Sequence, residues 1–94
     1  MTYYKAFDKD LKCIGFQFEV GETYRIEGKL KMCENGFHCC SNILNCLDFY
    51  PSNSRFCEVT VGLNMLNDKV KTVTDEITIG RELIGWIIAI INWS

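Results

Sequence analysis

A chain of 94 residues that is 48% hydrophobic and 13% aromatic is expected to form one domain over residues 1–94, and that composition excludes a disordered protein. The formal charge of −2 is spread without runs, residues 1–47 being neutral, so the clustered basic face of a phosphate-backbone reader is absent and no direct nucleic-acid binding is expected. No apolar leader follows Met1-Thr2-Tyr3-Tyr4-Lys5, so a cytoplasmic location is expected, with the six cysteines held as thiols.

From Thr2 to Asp8 the aromatic-rich run predicts a strand, and Asp8-Lys9-Asp10 a polar turn into a hairpin partner at Leu11–Ile14. Phe16, Phe18 and Val20 alternate with Gln17 and Glu19, as in a strand with one buried face, and Gly15 marks a bulge at its start. Short extended pieces follow at Tyr24–Ile26 and Lys29–Cys33. Asn35-Gly36 predicts a tight two-residue turn, because both residues tolerate positive φ. After Phe37-His38-Cys39-Cys40, Ser41 can cap a middle helix at about 41 to 50 that carries Ile43, Leu44, Leu47 and Tyr50 and is ended by Pro51. Arg55–Gly62 predicts a strand with Cys57, Val59 and Val61 on one face. Val70–Val73 and Glu76–Ile79 are rich in β-branched residues and predict two more. Gly80 then opens an apolar C-terminal helix to about residue 92. Its uncharged stretch from Leu83 to Trp93 is shorter than the roughly 20 residues of a membrane span, so no membrane partner is expected.

The fold class expected from this pattern is α+β, an antiparallel sheet of hairpins packed with the middle helix and the C-terminal helix. Trp86, Ile87, Ile90 and Trp93 are the candidate interface. They either cover the sheet as core or form a homodimer contact, and both can hold together.

No motif assigns a reaction, and no catalytic residue is nominated. Cys33, His38, Cys39, Cys40, Cys46 and Cys57 lack the paired spacing of zinc ligands, and Cys39 and Cys40 on a strand face opposite sides, so no metal is expected. The only histidine, His38, is poorly placed against its neighbouring thiols for nucleophilic catalysis, although the fold could still bring it to Cys13 or Cys57. Seven glycines form no phosphate-cradling pattern, and no cofactor is expected.

Tyr4-Lys5-Ala6-Phe7-Asp8-Lys9-Asp10-Leu11-Lys12-Cys13, Cys33-Glu34-Asn35-Gly36-Phe37-His38, Tyr50-Pro51, Ser54-Arg55-Phe56 and Thr74-Asp75-x-Ile77-x-Ile79-Gly80-Arg81-Glu82-Leu83 together resemble an uncharacterised domain family of bacteria and their phages. Size, acidity and that source suggest by analogy an anti-CRISPR-type inhibitor. It would be a non-catalytic module that occludes or locks a bacterial protein or ribonucleoprotein complex in the host cytoplasm. A second, looser similarity is to one half of an ADP-ribosyltransferase sheet, which implies an enzyme or small-ligand-binding pocket built from His38, Tyr50, Arg55 and Glu82.

Overall fold

The structure, a computed structural model, describes residues 2–32, 34–47 and 53–84. Within them the chain forms nine strands: β1 (Tyr3–Phe7), β2 (Lys12–Cys13), β3 (Phe16–Gln17), β4 (Thr23–Arg25), β5 (Phe37–Cys39), β6 (Arg55–Val61), β7 (Met65–Asn67), β8 (Thr72–Thr74) and β9 (Glu76–Leu83). The single described helix, α1, spans only Ile43–Leu47.

The architecture is therefore antiparallel β and not the expected α+β. A four-stranded sheet runs β1-β6-β9-β4, a three-stranded sheet β5-β8-β7, and β2-β3 form a separate hairpin. Of the middle helix expected at 41 to 50, the described residues show Ile43–Leu47, and residues 48–50 lie outside them. Its start is capped by Asn42, whose Oδ1 accepts from the Leu44 N–H at 2.9 Å, and not by Ser41.

The expected helix does not open at Gly80, because residues 80–83 complete β9 and the rest of its expected span, from residue 85, lies outside the described residues. Ile77 pairs with Val61, Ile79 with Val59 and Leu83 with Phe56. Their buried side chains win more from the sheet core than helical periodicity could offer. Between the pairs Cys57–Glu82 and Val59–Ile79, Gly80 and Arg81 together oppose Glu58, a bulge on β9. A Cβ on Gly80 would lie 2.8 Å from the Glu58 carbonyl oxygen, so glycine lets the bulge close. Trp86, Ile87, Ile90 and Trp93 lie outside the described residues.

Three turns also differ from expectation. The partner of β1 is β6 and not residues 11–14. The 8–12 segment is instead a loop tied by Asp8, whose Oδ1 accepts from the N–H groups of Asp10 at 2.8 Å and Lys12 at 2.9 Å. Ile14-Gly15 forms the two-residue turn of the β2-β3 hairpin, with φ of 50° and 76°, so Gly15 is a turn residue and not a bulge. The turn expected at Asn35-Gly36 is displaced. Lys31 and Asn35 close that loop, and Gly36 (φ 139°) leads into β5.

The main core gathers Tyr3, Phe7, Phe18, Phe37, Cys39, Val59, Ile77 and Ile79 between the sheets. Phe18 is its hub, edge-on to Phe7 at 5.3 Å, Tyr24 at 5.0 Å and Phe37 at 5.9 Å. On the opposite face of β1, Ala6, Cys40, Cys46 and Phe56 form a second, smaller cluster.

Candidate functional site

β1 is an edge strand, and β5 approaches its open side. Tyr4 and Cys40 make one reciprocal pair of main-chain bonds, at 2.7 and 2.8 Å, and the ladder goes no further. Antiparallel pairing would next place Ala6 against His38, with the His38 carbonyl as an acceptor. That carbonyl instead accepts from the Lys5 Nζ at 2.7 Å, so a side chain takes the place of a rung and the two strands part.

The gap is a cleft of about 500 Å³. Its walls include Tyr4, Lys5 and Ala6 from β1, His38, Cys39 and Cys40 from the β5 segment, Cys46 from α1, and Cys13 and Ile14 from the hairpin. Lys12 and Lys71 stand at it with Asp8, so the described lining carries three lysines against one carboxylate.

Lys5 is the unusual member. Only 4% of it is exposed. A buried ammonium must be compensated. Here the His38 carbonyl does so, with the Phe18 and Phe7 ring faces 5.6 and 5.8 Å away. His38 is in turn held below its ordinary pKa, first by burial and then by the charges of Lys5 and Lys71, which keeps its ring neutral at pH 7.

The buried thiols divide by their neighbours. Burial pushes Cys39 up to about 12 and Cys57 up to about 11, which makes both inert. Cys40 moves the other way, down to about 7, because the Cys46 thiol donates a hydrogen bond to it and Lys71 and Lys5 lie nearby. The same bond pushes Cys46 up. Among the described residues no group of three or more His, Cys, Asp or Glu is placed to hold a metal ion.

Of the four pocket residues proposed from sequence, His38 lines the cleft. Arg55 and Glu82 meet each other on β6 and β9, Nε to Oε2 at 2.8 Å and Nη2 to Oε1 at 2.6 Å, and are not among the cleft's lining residues. Tyr50 lies outside the described residues. Cys13 shares the cleft with His38, whereas Cys57 is buried in the core. Sequence reasoning missed Lys5 and the Cys40–Cys46 contact. Lys5 did carry a signal, as the one charge inside an otherwise apolar and aromatic strand.

A small antiparallel β domain with a cationic, thiol-bearing cleft at an interrupted sheet edge is the class that fold and site define. The chain belongs to the domain of unknown function DUF7666, whose profile matches residues 1–90. No curated protein and no solved structure shows significant similarity to it. The expected membership of an uncharacterised domain family holds at that level. Among the described residues no helix is long and apolar enough to cross a membrane.

Proposed function

We propose that this chain is a small-ligand-binding domain whose cleft takes an organic anion, a carboxylate or phosphate ester with an apolar body. The carrying observation is the contrast between a chain of net charge −2 and a cleft whose described lining residues include Lys5, Lys12 and Lys71 against one carboxylate, Asp8. Field lines concentrate in such a concavity and raise the local concentration of anions. Tyr4, Ala6 and Ile14 supply apolar wall for the ligand's body.

The test is a thermal-shift screen of the whole chain against carboxylates and nucleoside phosphates, followed by calorimetry. A ligand at 100 times its Kd should stabilise the fold by about 2.7 kcal/mol. Lys71→Met should weaken that binding. A flat panel, or binding that Lys71→Met leaves unchanged, would overturn the reading.

Ile14 favours a second reading, a non-catalytic protein-binding module of the phage-encoded inhibitor type. Its side chain is 95% exposed at a hairpin tip, beside the half-exposed Phe16. Apolar anchors presented on a rigid turn suit occlusion of a partner surface. A pull-down with tagged protein from a bacterial lysate containing CRISPR effector complexes tests it. A stoichiometric partner that Ile14→Asn releases supports it, and recovery of the protein alone counts against it.

A further inference from the structure

Cys40 and Cys46 are brought together by three independent elements of the fold. Cys40 is pinned at the end of β5 by its double main-chain bond to Tyr4. Cys46 sits on α1 with its Sγ 3.6 Å from the Tyr4 carbonyl oxygen. Ala6 and Phe56 pack around both. The Cys46 hydrogen thus has two acceptors within reach, the Tyr4 carbonyl and the Cys40 sulfur. Both thiols line the same cleft, and so do Lys5 and Lys71. Cys39, next in sequence to Cys40, points into the main core instead.

We propose that Cys40 and Cys46 form a reversible dithiol–disulfide site that reduces a small peroxide entering the cleft. In the first step the Cys40 thiolate attacks one peroxide oxygen. The O–O bond breaks, leaving Cys40 as a sulfenic acid and releasing hydroxide, which takes a proton from solvent. In the second step the Cys46 sulfur attacks the Cys40 sulfur. The S–S bond forms, the S–O bond breaks, and the departing hydroxide leaves as water with the Cys46 proton. Two thiols are oxidised by two electrons in all, and one hydrogen peroxide becomes two waters. An external dithiol restores the pair by two successive exchanges.

The residues divide the work. Cys40 is the attacking thiol, since it packs with Cys46 in one cluster and lines the cleft with Lys5 and Lys71, whose positive charge favours the thiolate. Cys46 is the resolving thiol, a proton donor until Cys40 is oxidised. The cleft lets a molecule of peroxide size reach them. Cys39 lines the same cleft but its thiol is held protonated by burial, and Cys57 is not among the cleft's lining residues. The site does not depend on the organic-anion reading.

The test uses the reduced full chain and hydrogen peroxide, with thiols trapped and the products mapped by tandem mass spectrometry. One bond between Cys40 and Cys46 should appear with a mass loss of about 2 Da, and a dithiol should reverse it. Cys46→Ser should stop at a Cys40 sulfenic acid captured by dimedone, and Cys40→Ser should slow peroxide consumption by about tenfold or more. A disulfide mapped to any other pair, or Cys40→Ser reacting at the wild-type rate, would overturn the proposal. If either variant fails to fold, the wild-type map decides, supported by Cys40 outpacing Cys39 and Cys57 in alkylation at pH 7 and overturned by equal rates.

Discussion

The Lys5 ammonium donates to the main-chain oxygen of His38 at 2.7 Å across the gap where β1 and β5 part. One bond therefore both compensates a buried charge and holds the cleft open. Lys5→Met keeps the length of the stem but removes this hydrogen bond, and losing one made by a charged group costs about 1.5–3 kcal/mol. We expect a loss of that order in urea denaturation. A variant as stable as wild type would show that the carbonyl finds another partner and that the cleft closes without cost.

Much of the sheet was legible because its strands obey the simplest rule. Ile77 and Ile79 alternate with polar neighbours, and Cys57, Val59 and Val61 recur at every second position, and these strands appear where that pattern places them. Residues 80–83 were misread because the bulge at Gly80 looks, in sequence, like the glycine that separates two elements. The middle helix was placed too early, at Ser41, because Ser41 and Asn42 are both good caps and Asn42 is the one that holds the Leu44 N–H. Which edge β1 joins, and hence the cleft, depends on pairings such as Tyr4–Cys40 between residues 36 positions apart, which local pattern does not encode. The Cys40–Cys46 contact is hidden for the same reason.

Arg55 and Glu82 stabilise the β6-β9 pair, and this contribution should depend on pH. The Arg55 hydrogen bonds hold Glu82 below its ordinary carboxylate pKa. A depressed folded-state pKa gives stability that is present above the unfolded value near 4.5 and is lost as pH falls through the folded one. The two side chains are about a third exposed, so the pair is worth roughly 1 kcal/mol at neutral pH after solvent screening. Glu82→Gln should lose that amount at pH 7, and its deficit should shrink as pH falls below about 4.5 and the wild-type carboxylate takes up its proton. Equal stability of the two proteins at pH 7 would show that the pair contributes nothing.

Gly36 is irreplaceable for two separate reasons. Its φ of 139° lies where side-chain-bearing residues are strained, and an added Cβ would sit 2.2 Å from the Val73 Cγ2. Val73 is fully buried in the centre of the β5-β8-β7 sheet and has no room to yield. Gly36→Ala should cost about 3 kcal/mol or more, combining backbone strain with overpacking. Gly21 is the internal control. It has φ 93° with nothing within 4 Å of the added Cβ, so Gly21→Ala should show the strain alone, about 1 kcal/mol. Equal losses at the two positions would show that the contact with Val73 is not what matters.

Ile14 is a β-branched residue held at φ 50° with 95% of its surface exposed. Left-handed backbone costs such a residue about 1–2 kcal/mol, whereas asparagine tolerates it and is favoured at the first centre of this turn type. Burial cannot be what offsets that cost, because the side chain is almost wholly in solvent. Ile14→Asn should therefore stabilise the domain by about 1 kcal/mol, an uncommon direction for a single substitution. Strain kept at an exposed apolar tip is a mark of a residue serving something other than the fold. If the second reading holds, the same variant should become more stable and lose its partner together. A variant that melts at or below the wild-type temperature would show that the turn is not strained at Ile14.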